Sequence, residues 1–334
     1  MIVTGANGFL GSYVVAALLK KGHSVTGLKR ASASVTWFDR ILKIELGDAY
    51  TSLINHFTWQ EADVLDIIAL DEIFKEGDTV FHCAAMVAFN SKTADEMMAV
   101  NIQGTTNVVN ACITAKVKKL IHVSSTAALG RSGKNTPISE QTEWKDSDHN
   151  TRYAISKHLS ELEVWRGIEE GLNAAIVNPA IILGFGNPEQ GSCRLFKNIA
   201  EGIRFYTNGV NGFVGVKDVA AVMIQLGENN ITAERFLLVS ENKSYREIFM
   251  GMAKSLGVKT PSIELKKSYR WLLVQAARVV QFFNHRSSIT PETIRTSLAE
   301  NHYENNKART VLNYTFQPID VVISESALHY KALL

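Results

Sequence analysis

The octapeptide TGANGFLG at residues 4–11 constrains this chain more than any other segment. Gly5, Gly8 and Gly11 lie between a short apolar run, Ile2-Val3, and an amphipathic pattern from Leu10 to about Lys21 that Gly22 ends. In a strand–turn–helix of this kind the first glycine permits a tight turn. The second lets backbone approach a pyrophosphate, and the third lets helix and strand pack closely. The free N–H groups and the positive end of the helix dipole then face the phosphates. The segment predicts a dinucleotide-binding loop, with Asn7, Phe9 and Leu10 completing it. A tight turn of purely structural use is the alternative.

The rest of the first 180 residues supplies the context that such a loop needs. Ser24 to Leu28 reads as a strand, and Ala62-Asp63-Val64 ends another strand and its loop. Asp66 caps a helix carrying Ile67, Leu70 and Ile73. Thr79 to Ala84, Leu120 to Ser124 and Ala174 to Asn178 are apolar strands, and helical patterns run over 99–115 and 153–170. Strands alternating with helices predict an α/β fold, a Rossmann-type doubly wound parallel sheet. Continuous apolar strands such as Ile121-His122-Val123 fit burial on both faces.

After Pro179 the pattern loosens. Gly184, Gly186, Pro188 and Gly191 mark a loop, and residues 213–228 and 235–239 read as strand–helix–strand. Helices are predicted over 244–257 and 291–300, the second opened by Thr290-Pro291. The expected division is a dinucleotide-binding domain over 1–180, with returns to the sheet around 213–240. A smaller helix-rich C-terminal substrate lobe takes 181–212 and 241–334.

Composition narrows the classes. With 334 residues, 46% hydrophobic and 20% charged, the chain can bury a large core without staples. A formal net charge of +2 is too balanced for a dedicated nucleic-acid binder. Cys83, Cys112 and Cys193 fit neither a disulfide framework nor zinc spacing and read as small buried hydrophobes. The longest apolar candidate, Trp271 to Phe283, is interrupted by Gln275 and Arg278 and falls short of a bilayer span. It reads as a core or dimer-face helix. With no secretory signal in view, a cytoplasmic enzyme without membrane or nucleic-acid partners is expected.

A second motif lies downstream. Tyr153 and Lys157 in YAISK are four apart and share one helix face. A free phenol, with a pKa of about 10, is a poor base at neutral pH, and a neighbouring ammonium favours its ionised form. Ser124, Ser125 and Thr126 follow the strand that ends at Val123 and offer hydroxyls beside it. An exit turn stabilised by side-chain hydrogen bonds is the plainer reading of those three.

Together, TGANGFLG and YAISK resemble the extended short-chain dehydrogenases/reductases, the NAD(P)-dependent epimerase/dehydratase family, while Arg30 and the segment VAFNSKTADEMMAVN resemble its dihydroflavonol-4-reductase-like branch. The likeness extends over nearly the whole chain, and the two motifs lie at the family's usual separation. It implies that Tyr153 exchanges a proton with a carbonyl or alcohol and that Lys157 also holds the nicotinamide ribose. Aligning on Gly130 puts Ser125 at the family's catalytic serine, with Thr126 as runner-up. Asp63-Val64 resembles the pair that holds the adenine edge, and His82-Cys83-Ala84-Ala85 resembles the segment whose small residues, Ala84 and Ala85, face the cofactor. His82 itself reads as a packed core histidine. Asn101, opening NIQGTTNVV, resembles a helix that orders groups near the nicotinamide. A homodimer through helices 99–115 and 153–170 is implied by the same resemblance.

The second strand ends Leu28-Lys29-Arg30-Ala31-Ser32, without a carboxylate for a ribose 2′-hydroxyl. Lys29, Arg30 and Ser32 are in place for a 2′-phosphate, Arg30 in bidentate fashion. NADP(H) is therefore expected, with NAD(H) as the alternative. Asn178-Pro179 stands at the cofactor-facing end of the sixth strand, where many sugar-nucleotide members carry Arg-Pro. That departure weakens a nucleotide-sugar reading, and Ala127, Ala128 and Leu129 disfavour dehydration. Met86, Phe89 and Phe185 are candidates to line an apolar pocket, with simple core as the plainer reading; Arg194, Arg204 and Arg295 are candidates to hold a pyrophosphate, with the open surface as the plainer reading. No metal site is expected. The resulting expectation is an NADPH-dependent reductase of a ketone or aldehyde; a nucleotide-sugar 4-epimerase using bound NAD is the alternative, and a non-catalytic redox-sensing binder is a third.

Overall fold

A computed structural model describes residues 1–87, 93–130, 136–147, 150–283 and 290–333, giving the backbone alone over 279–283. Phe89 lies outside the described residues. Six strands alternate with helices along the first half: β1 Ile2–Thr4, β2 Val25–Lys29, β3 Phe57–Glu61, β4 Thr79–His82, β5 Lys119–Val123 and β6 Ala174–Pro179. Six more follow: β7 Ile181–Leu183, β8 Phe205–Tyr206, β9 Val210–Gly215, β10 Glu234–Leu238, β11 Glu241–Ser244 and β12 Ile263–Glu264.

Seven of these form one parallel sheet in the order β10-β6-β5-β4-β1-β2-β3. The order reverses between β1 and β4, and that switch point opens a crevice at the carboxyl ends of the strands, where open α/β sheets bind ligands. The central strands carry Val3, Val80, Phe81, Leu120, Ile121, Ile176 and Val177, all fully buried. Helices cover both faces, as parallel strands require. β9 pairs with β7 and β11 in a separate three-stranded sheet, so of the 213–240 region only Glu234–Leu238 extends the main sheet.

The helix Thr36–Leu46 was not anticipated. It has no side-chain cap, but Phe38, Ile41, Leu42 and Leu46 recur at helical spacing and bury one face beside β3. The expected helix over 99–115 is more complex. Ala94–Met98 is α-helical, Ala99–Gln103 forms a π-helical turn, and Gly104–Thr114 resumes the α-helix. The helix Arg270–Phe283 is only partly core, since Val274 and Ala277 are buried while Trp271 and Leu272 are exposed. No described helix is long and apolar enough to cross a membrane.

Candidate active site

The glycine loop joins β1 to the helix Phe9–Lys20 at the switch point. Gly5 has φ +63°, and a Cβ there would stand 2.7 Å from the Ala84 Cα beyond β4. Gly11 packs so tightly that a Cβ would come within 2.2 Å of the Gly5 carbonyl oxygen. Gly8 is exposed with ordinary φ, and its Cβ would meet only that same oxygen, at 3.1 Å. Gly8 caps the helix without a side-chain bond to the first-turn amides. The side of Gly8 itself is open to solvent. Asn7 donates to the Ser34 carbonyl at 3.2 Å, which ties the loop to the segment after β2. Phe9 lies against Gly184 and Gly186, and Leu10 is half-buried. These features fit a dinucleotide's phosphates in a cradle that a Cβ at Gly8 would fill.

At the end of β2 the two cations differ. Lys29 Nζ bonds Glu61 Oε1 of β3 at 3.1 Å. Arg30 is exposed, with no ion pair among the described residues. Asp63 Oδ1 accepts from the Leu65 amide at 3.0 Å, so the carboxylate shapes its own turn. Val64 is buried against Gly104, and its carbonyl accepts from Asn107 Nδ2 at 3.0 Å. Ala84, whose amide donates to Thr4 Oγ1 at 3.2 Å, is half-buried, and Ala85 is exposed.

His82 is buried as a core histidine. Its Nδ1 lies 2.7 Å from Thr4 Oγ1 and its Nε2 3.1 Å from Thr105 Oγ1. Burial first, and the Lys157 charge second, push its pKa down to about 3. Asn101 sits in the π-helical turn. Its Oδ1 accepts from the Met86 amide at 2.8 Å; its Nδ2 donates to the Met86 carbonyl at 3.0 Å and to Ser156 Oγ at 2.9 Å. Ser156 in turn donates to the Tyr153 carbonyl at 2.8 Å.

Tyr153 and Lys157 share one face of the helix Arg152–Glu169, whose N-cap Thr151 accepts from the Ala154 amide at 3.1 Å. The Tyr153 phenol is hydrogen-bonded to the Ser125 side chain. Burial raises its pKa above the usual phenol value, and the Ser125 bond opposes that rise. The expected lowering by Lys157 is not what dominates here. Lys157 Nζ donates to the Val123 carbonyl at 2.8 Å, and burial lowers its pKa to about 8 against the opposing pull of Glu161 and Cys83. Ser124 points elsewhere, to Glu161 Oε2 at 2.5 Å, and Thr126 opens a 3-10 turn that Ser125 caps. The structure thus brings Ser125, Tyr153 and Lys157 together and sets the other two hydroxyls apart.

Asn178 is fully buried at the end of β6. Its Nδ2 donates to Glu161 Oε2 at 2.7 Å and to the Ser125 carbonyl at 3.1 Å, so it faces inward; Pro179 closes the strand beside it. Phe185 is 3% exposed and packs against Trp37, His329 and Tyr330, as a core residue does. Arg204 and Arg295 are exposed, and Arg194 is half-buried. Cys112 and Cys193 are buried, and burial raises the pKa of all three thiols. No metal-holding group of His, Cys, Asp and Glu occurs among the described residues. Two members of this neighbourhood escaped the sequence reading. Glu161 and Arg235 form a 3.0 Å ion pair beside Ser124 and Asn178.

The model of the NAD dependent epimerase/dehydratase family matches residues 1–237. "Cinnamoyl-CoA reductase 1" of Petunia hybrida is 31% identical over 245 residues, covering 70% of this chain and 71% of that one. The solved structure titled "Crystal structure of gox2253" superposes with a TM-score of 0.81 at 26% identity, covering 99% of this chain and 98% of that one. A UDP-glucose 4-epimerase from Thermotoga maritima shares the fold with a TM-score of 0.77 at 18% identity, over 99% and 98% of the two chains.

Proposed function

This chain belongs to the NAD-dependent epimerase/dehydratase family, and within it we propose that it is an NADPH-dependent reductase of a ketone or aldehyde. The observation that carries this reading is Arg30, exposed and without an ion pair among the described residues at the end of β2, where the sequence offers no carboxylate for a ribose 2′-hydroxyl. That position suits a 2′-phosphate, and a freely exchanging NADPH suits a reductase rather than an epimerase that keeps its NAD bound. The inward-facing Asn178 supports the same choice.

Gly5, Gly8, Phe9, Leu10 and Gly11 would hold the dinucleotide phosphates, Arg30 the 2′-phosphate, and Asp63, Val64, Ala84 and Ala85 would border the adenosine side. When bound, the reduced nicotinamide supplies the hydride that reaches the carbonyl carbon. Ser125 hydrogen-bonds the carbonyl oxygen and orients it towards Tyr153. Tyr153 gives its phenolic proton to that oxygen, which leaves an alcohol and a phenolate that takes a proton back from solvent. The buried Lys157 ammonium steadies the phenolate while it lasts.

The test is to denature the purified protein, identify any released nucleotide, and titrate stripped protein with NADPH and NADH. NADPH bound more tightly and exchanging freely, with turnover on a panel of aldehydes and ketones, is expected. NAD(H) retained through purification would overturn the reading in favour of a nucleotide-sugar 4-epimerase. The active form is proposed to be a homodimer through the helices Gly104–Thr114 and Arg152–Glu169, the latter exposing Leu159 and Leu162. A monomeric mass by light scattering would remove that proposal.

A further inference from the structure

Glu161 lies one helical turn beyond Lys157 and is 3% exposed. A carboxylate this deep is costly unless its oxygens are paired. Four donors meet it. Oε2 accepts from Ser124 Oγ at 2.5 Å and from Asn178 Nδ2 at 2.7 Å. Oε1 accepts from Arg235 Nη1 at 3.0 Å and from Trp165 Nε1 at 3.3 Å.

These donors come from separate parts of the fold. Ser124 immediately follows β5, Asn178 ends β6, Arg235 stands on β10, and Trp165 is one turn along the same helix. Arg235 is itself fixed, because Nε and Nη2 both donate to the Glu140 carbonyl. The Asn178 amide that reaches Glu161 also reaches the Ser125 carbonyl. One carboxylate therefore clamps the helix of Tyr153 and Lys157 against the strand exit that presents Ser125.

The charges around Lys157 make the clamp electrostatic as well. Its own helix offers Glu161 and the Tyr153 phenol. β4 and its exit offer His82 and the Cys83 thiol, and β5 offers His122. Burial lowers the pKa of both histidines and raises that of the thiol, so all three are neutral near pH 7. Arg235 is the second cation of the neighbourhood, paired to the far side of Glu161. Among these groups Glu161 is the carboxylate.

We propose that Glu161 is a positioning residue for Lys157: a buried counter-charge that holds the helix of Lys157 against the β5 exit. The proposal rests on the reading that Tyr153 and Lys157 carry the chemistry. The direction of the effect agrees, since Glu161 is first among the groups that oppose the lowering of Lys157 by burial.

The experiment is an NMR pH titration of the full chain labelled with ¹³C-lysine, with the Lys157 signal identified by its loss in Lys157→Arg. In Glu161→Gln the Lys157 midpoint should fall by about one pH unit, a roughly tenfold weaker hold on the proton. A merely structural role gives the opposite sign. Loosened packing readmits water, and the midpoint climbs back towards its solvent value. Where Glu161→Gln does not fold, the double variant Glu161→Gln/Arg235→Gln decides, because it leaves neither partner of the ion pair buried alone. A smaller downward shift is expected there, because the Arg235 charge that is lost as well lies on the far side of Glu161. An unchanged or raised midpoint overturns the proposal. The titration needs no substrate, so a protein that shows the shift yet reduces no carbonyl would refute the reductase reading and leave the role of Glu161 standing.

Discussion

The Lys157 ammonium donates to the main-chain carbonyl of Val123 at 2.8 Å, and Ser125 follows two residues later. The strand exit that presents the hydroxyl also anchors the cation. Lys157 therefore acts on Tyr153 through a fixed frame, and Ser125 is the group that bonds the phenol directly. Tyr153→Phe removes the proposed proton donor and leaves this frame intact. It should lower kcat/KM for carbonyl reduction by roughly 10²- to 10⁴-fold. NADPH affinity, read by fluorescence titration, should change by less than about twofold. Loss of binding in parallel with turnover would show that Tyr153 holds cofactor rather than supplying a proton.

Lys29 and Arg30 are adjacent in sequence and differ in what occupies them. Lys29 is already paired to Glu61, whereas Arg30 is exposed. A charge-assisted hydrogen bond contributes about 1.5–3 kcal/mol, or roughly ten- to hundredfold in affinity. Arg30→Ala should weaken NADPH by that factor and leave NADH nearly unchanged. Lys29→Ala should do little to either. Isothermal titration with both cofactors decides it, and equal weakening of the two would place Arg30 away from the 2′-phosphate.

The glycine loop and YAISK were legible because their chemistry is written in local spacing. Gly5 needs its left-handed φ, and Tyr153 and Lys157 need one helix face, whatever the rest of the chain does. The Glu161–Arg235 pair was not legible, because its partners are 74 residues apart and meet only when β10 joins the sheet beside β6. Half of that signal was present all the same, since Glu161 repeats the four-residue step from Tyr153 to Lys157. The helix Thr36–Leu46 forms without a side-chain cap, and only the helical recurrence of its buried face marks it in the sequence. Phe185 stayed open between pocket and core in the sequence, because a glycine-flanked aromatic reads alike whether it faces a pocket or the Tyr330 ring.

His82 and His122 face one another on β4 and β5, ring centroids 5.2 Å apart, both buried. His122 has no hydrogen-bond partner on either ring nitrogen among the described residues. Burial lowers both pKa values, that of His82 to about 3. The unfolded chain takes up protons below its ordinary histidine pKa of about 6.5, while the native state refuses them. This contribution to stability is complete above about pH 6.5 and is lost as pH falls from there towards 3. Each histidine should cost more than about 1 kcal/mol per pH unit within that window. Urea denaturation at pH 7 and pH 5 would measure the loss. Replacing His122 with Leu should reduce the pH dependence, and an unchanged slope would assign it to other groups.

Gly5 and Gly8 separate folding from binding within one loop. Gly5→Ala must place a Cβ 2.7 Å from backbone beyond β4 at φ +63°. The left-handed conformation alone costs about 1–2 kcal/mol, and the clash adds to it. That variant should melt several degrees lower, about 2–4 °C for each kcal/mol in a chain of this size, or fail to fold. Gly8→Ala meets only one carbonyl oxygen, at 3.1 Å, with φ −78° and an exposed position. It should melt within about 2 °C of the parent. Its methyl group, however, occupies the side of the loop that a pyrophosphate would approach, so NADPH affinity should fall by about tenfold or more. Thermal melts and cofactor titration of the two variants test both halves. Full affinity in a stable Gly8→Ala would mean that the glycines shape the turn and the phosphates lie elsewhere.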